Sequence, residues 1–215
     1  MIDYQKGLKF LFDREETKGD WRWDIETDPF ELKDQDAVEF FIRLTQDLSE
    51  LLGKYSLWQI RLGLEYLFYN SISDFVFFIQ DGSASIERRI DAIHAIKEIY
   101  IQVFEPMCEP ILGNLSEKGN ELNGFCYMLW DASPLSYCEG NPNKHLLYKA
   151  LADVMNGAIY SNNIACIESG LHGLGHMVFY YSECKEIIQA FIISGKCSDK
   201  RILDYAELAK TGYIL

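Results

Sequence analysis

Apolar residues recur at helical spacing along most of the chain. Val38, Phe41, Leu44, Leu48 and Leu51 or Leu52 share one face of a segment from 36 to 54, which Gly53 ends. Ser56 is placed to cap the next helix, Leu57 to about Tyr69, with Ile60, Leu64, Leu67 and Phe68 inward. The longest stripe runs from Ser85 to about Phe104, through Ile86, Ile90, Ile93, Ile96, Tyr100 and Val103. Leu122, Phe125, Met128 and Leu129 mark a helix from Asn120 to Trp130. Leu146, Leu147, Ala150, Leu151, Val154 and Ala158 mark another from Asn143 to about Tyr160. A last helix starts at Ser198 and stops at Gly212, and Tyr4, Leu8, Leu11 and Phe12 form a short amphipathic start. Phe75 to Ile79 suits a buried strand or a helix equally well by pattern, and its helical neighbours favour a helix from Asp74 to Gln80. No convincing strand pair appears.

The stretch from Asn162 to Gly195 predicts a helical hairpin. Ile167, Leu171, Leu174 and Val178 fall on one face, with Asn162 or Asn163 as cap. Ser182 caps a second helix with Ile187, Ile188, Phe191 and Ile192 inward, and Gly195 suits a left-handed C-terminal residue. Gly170, Gly173 and Gly175 each cost about 1 kcal/mol against alanine inside a helix. Close approach of a neighbouring helix would explain three of them within six residues. From Cys166 to Ile193 this hairpin resembles a HEAT-type repeat, in its Ser169-Gly-Leu-His-Gly-Leu-Gly pattern, short turn and Glu186-Ile-Ile-Gln-Ala-Phe-Ile helix. The resemblance implies an α-α superhelix of stacked antiparallel hairpins that binds other macromolecules along one surface. Tyr55 to Gly82 is a weaker second hairpin. The expected fold is all-α, one domain over 1–215, with a bend at 105–119 where Pro106, Pro110, Gly113 and Gly119 cluster.

Composition narrows the function. Hydrophobic residues make up 48% of 215, enough for a folded core. The net charge of −13 argues against nucleic acid or an anionic membrane surface as partner and admits a basic protein. There is no run of 18 apolar residues and no export signal at the N-terminus, so the expected setting is cytoplasmic. Cys108, Cys126, Cys138, Cys166, Cys184 and Cys197 form no CxxC pair and read as free thiols.

Chemistry is sparsely signalled: no GxSxG, Walker or GxGxxG motif is present. The preferred expectation is a non-enzymatic module that needs no cofactor and binds a protein partner through an acidic, aromatic surface. Trp21, Trp23, Trp58, Trp130 and Tyr137 are its candidate anchors, with Asp131 and Glu139 beside the last two. A concrete version is an immunity-type protein that neutralises a basic toxin. In this reading His172 and His176 are fittings of a helix seam with Gly170, Gly173 and Gly175, bonded to an adjacent hairpin. The competing expectation is a metal-dependent enzyme. Glu168, His172 and His176 stand at i, i+4 and i+8 on one helix face, and two imidazoles four apart can reach one ion. A further ligand would have to come from a neighbouring helix, and Cys184 and Asp153 are candidates.

Overall fold

The helical periodicity is realised throughout the computed structural model, which describes residues 3–23, 32 and 34–214. The helices are α1 (Tyr4–Phe12), α2 (Asp34–Gln46), α3 (Leu48–Lys54), α4 (Leu57–Phe68), α5 (Phe75–Gln80), α6 (Ile86–Ile99), α7 (Glu105–Met107), α8 (Glu121–Ala132), α9 (Lys144–Ile159), α10 (Ile164–Met177), α11 (Glu183–Ser194) and α12 (Lys200–Thr211). No strand occurs among the described residues, so Phe75 to Ile79 resolves as helix. The acidic stretch after Trp23 lies outside the described residues up to residue 31.

Local chemistry sets most helix starts. Ser56 and Gln59 bond each other's backbone N–H groups in a capping box at α4, and Asn120 and Asn123 do the same at α8. Asn163, one of the two candidate caps, takes the N–H of Ala165 at 3.0 Å. Three expectations shift. The segment 36–54 breaks at Asp47 into α2 and α3, whose N–H is shared by the carbonyls of Arg43 and Leu44. Asp199 rather than Ser198 caps α12, and the Ser182 side chain makes no cap bond. The long helix α6 widens into a π-helical stretch, Tyr100–Phe104, before α7.

Helices of one row neighbour each other in the order α1, α4, α8, α10, α12, and those of a second row in the order α2, α6, α9, α11. The chain therefore alternates between two rows over most of its length, an arrangement compatible with a helical repeat. Contacts fix directions in the first row. Cys126 meets Ala165 and Ser169, Trp130 meets Gly173, and Asp131 meets His172. Numbers rise together, so α8 and α10 run parallel. Tyr205 meets His172 and Ala209 meets Gly175, so α12 runs parallel to them as well. The three helices end at the same side of the molecule.

One hydrophobic core runs from Tyr4 to Ala209, and the protein is a single all-α domain. The region 105–119 bends within it. Asn163 donates to the carbonyls of Glu105 and Cys108, and Asn123 exchanges bonds with the backbone of Glu109. Among the described residues no helix is long and apolar enough to cross a membrane.

Candidate metal centre

Helix α10 is enclosed: every residue from Ala165 to Gly175 is buried. Its glycines make that possible, and each answers to a different neighbour. A Cβ on Gly170 would lie 2.8 Å from the Met155 carbonyl of α9. One on Gly173 would lie 2.6 Å from the Trp130 ring of α8, and one on Gly175 3.2 Å from Ala209 Cα of α12. A polar chain fixes the register of α8 against α10. Trp130 Nε1 donates to the Tyr100 hydroxyl, which bonds Ser169 Oγ at 2.7 Å, and Ser169 donates to the Cys126 carbonyl.

One turn further along, three side chains converge. His172 Nε2 lies 2.6 Å from Asp131 Oδ2, and His176 Nε2 lies 2.6 Å from Asp131 Oδ1. The two Nε2 atoms are 3.0 Å apart. His172 is fully buried, whereas the side chains of Asp131 and His176 keep 28% and 31% exposure. Burial works against the Asp131 carboxylate, but hydrogen bonds from both imidazoles and their charge outweigh it and hold the pKa well below the ordinary 3.8. On the far side of His172, Nδ1 bonds the Tyr205 hydroxyl, which in turn bonds Tyr127. Burial first, and the neighbouring Tyr127 and Glu168, push the Tyr205 phenol far above its ordinary 10, so it stays neutral. The Tyr127 ring lies 4.9 Å from the His172 ring, centroid to centroid.

These atoms can be arranged in two ways. With protons on both Nε2 atoms, each imidazole donates to one oxygen of Asp131, and Tyr205 donates to Nδ1. The Nε2–Nε2 edge then sets two N–H dipoles side by side at 3.0 Å. With the His172 proton on Nδ1 and donated to Tyr205, its Nε2 lone pair is left free, and one ligand atom of each of the three groups lies within 4.8 Å of the others. Metal–nitrogen bonds of about 2.1 Å at right angles place their nitrogens about 3 Å apart, which matches that edge.

Glu168, the carboxylate that helical spacing nominates, does not join the cluster. Its oxygens accept the N–H groups of Gly113 and Asn114 at 2.7 and 3.0 Å and tie the 3-10 turn Gly113–Leu115 to α10. Burial raises its pKa above the usual 4.5 despite those bonds. The third group is Asp131, which the sequence assigns to the acidic, aromatic partner-binding surface. Cys184 and Asp153 also lie outside the cluster.

The other anchors divide. Trp130 is wholly buried, which corrects its assignment to a surface, and Trp21 is buried between Phe10 and Tyr66. Trp58 and Glu139 are half-buried, while Trp23 and Tyr137 are exposed. Clefts of about 410 Å³ beside Trp21 and Trp23 and about 520 Å³ between α2 and α6 do not include the cluster. No family model, no curated protein and no solved structure matches the chain.

Proposed function

We propose that the chain is a HEAT-like helical stack that binds one divalent transition-metal ion on His172, His176 and Asp131 and acts as a metal-dependent enzyme. The Nε2–Nε2 separation of 3.0 Å, with both nitrogens against one carboxylate, carries this reading. Two histidines and a carboxylate on three corners leave further coordination positions open, the pattern of catalytic rather than structural sites. The partial exposure of Asp131 and His176 puts those positions on the solvent side. An ion of this class lowers the pKa of a bound water toward 7 or polarises a substrate oxygen.

The chain's own groups favour a cation there. Asp131 is ionised, and α8 and α10 both end at the site with their negative dipole ends. Tyr205 would hold the Nδ1 proton of His172 and so free Nε2 for the ion. Free thiols at all six cysteines suit a cytoplasmic setting.

Zinc and cobalt(II) titrations of purified, chelator-treated protein test the proposal. The expected result is one equivalent bound per chain, with a cobalt spectrum of a nitrogen- and oxygen-ligated ion. His176→Ala, at a part-exposed position, should weaken binding about 100-fold and, through loss of its bond to Asp131, lower the metal-free melting temperature by only about 2–4 °C. Wild-type protein that binds neither ion stoichiometrically would remove the metal reading and leave Asp131 as a hydrogen-bonded seam.

A further inference from the structure

Exposed aromatic side chains are unevenly distributed. Six occur among the described residues, and four of them, Tyr137, Phe179, Tyr180 and Tyr213, lie where α8, α10 and α12 end together. They are 57%, 66%, 41% and 80% exposed. They form one shelf. The rings of Tyr137 and Tyr180 stand 5.2 Å apart at 85°, and the Phe179 ring covers Gly212, the residue before Tyr213.

The shelf is held in place from beneath. Gln80 Nε2 donates to the carbonyls of Pro134 and Tyr137 at 2.8 and 2.7 Å, and the Cys138 N–H donates to the buried Tyr148 hydroxyl. The Tyr148 ring stacks beneath Tyr180 at 6.3 Å, and its hydroxyl donates to Glu139 at 3.2 Å. Elsewhere the chain lays its own cations over its rings: Arg43 over Tyr4, Arg14 over Phe10 and Trp21, Lys54 over Tyr55. No cation of the chain lies over any of the four shelf rings among the described residues.

We infer that this shelf binds a basic segment of a partner protein, with an arginine side chain laid against the exposed surface of the Tyr137 and Tyr180 rings. An exposed tyrosine ring offers a guanidinium an electron-rich surface beside the edge-to-face contact. The C-terminal ends of three parallel helices add negative potential at the same place, and the net charge of −13 steers a basic partner inward. Glu139 contributes a carboxylate at the edge. It is already paired with Lys144 at 2.9 Å, so the rings rather than this acid supply the selectivity.

Fluorescence anisotropy with labelled nona-arginine tests this on protein kept in chelator, so that metal loading plays no part. Nona-glutamate and a neutral leucine-rich amphipathic peptide serve as comparisons. Tyr137→Leu with Tyr180→Leu keeps apolar bulk and removes both aromatic rings. The pair should weaken nona-arginine binding about tenfold, while Trp23→Leu, on an exposed ring elsewhere, changes nothing. Equal binding by wild type and the double variant would show that net charge alone attracts the peptide and would overturn the inference. So would tighter, shelf-dependent binding of the leucine-rich peptide, which would mark an apolar docking face.

Discussion

Alanine at Gly170 sets a methyl group 2.8 Å from the Met155 carbonyl oxygen, 2.8 Å from Ile159 Cγ2 and 3.0 Å from Ala158 Cβ. The first and last of these move only with the backbone of α9, so α9 and α10 must separate. Overpacking of this kind costs about 3 kcal/mol, the upper end of the usual range, and the gain in helix propensity offsets about 1. The net loss is about 2 kcal/mol, or about 4–8 °C in melting temperature for a chain of this size. Gly124 and Gly157 are internal controls. Both are helical and exposed, and a Cβ at either meets nothing within 4 Å. Alanine there should raise the melting temperature by about 2–4 °C. Gly173→Ala should cost about as much, since its methyl would lie 2.6 Å from the buried indole ring that is bonded to Tyr100. Gly175→Ala should be mildest of the three, because its nearest neighbour at 2.8 Å is the end of Ile214. Urea and thermal unfolding of the metal-free variants give the order directly. A Gly170→Ala variant as stable as Gly157→Ala would refute the close packing of α9 on α10.

Glu168→Gln should destabilise the fold by about 1–3 kcal/mol at neutral pH, since an amide offers one oxygen where the carboxylate offers two to the N–H groups of Gly113 and Asn114. Its pH dependence has a definite sign. The folded pKa is raised above 4.5, so the folded state holds this proton more tightly than the unfolded chain. That contribution is complete below 4.5 and is lost as pH rises through the raised value. The stability of wild type relative to the Gln variant should therefore grow as pH falls, measured by urea unfolding across pH 4 to 8; a gap that shrinks instead would contradict the burial argument. Tyr205→Phe removes the partner of His172 Nδ1 and should weaken zinc binding by about 10–100-fold with all three ligands intact. Unchanged affinity by calorimetry would show that the hydroxyl does not orient the ring.

Much of the helical order is legible because each stripe repeats over three or more turns. The hairpin of α10 and α11 follows from such patterns, whereas Phe75 to Ile79 is too short to show a period and only its helical neighbours favour the helix. Glycines at 170, 173 and 175 announce that something comes close, but a missing Cβ carries no name for its neighbour, and here there are three. Trp130 could have been read correctly: Leu122, Phe125, Cys126, Leu129 and Trp130 continue one inward stripe. Asp131 could not, because 41 residues separate it from His172 and only the parallel packing of α8 on α10 joins them. Spacing favoured Glu168 instead, and nothing local reveals that the backbone of a distant turn has already claimed its carboxylate. The π-helical widening at Tyr100 to Phe104 is equally silent, since apolar residues continue through it.

The enclosure of α10 also governs which parts of the molecule breathe. A helix with neighbours on every side has no route to local fraying, so its amides exchange with solvent only when the domain opens as a whole. Edge helices such as α1 and α11 can detach and return while His172 and His176 stay on their shared rigid rod.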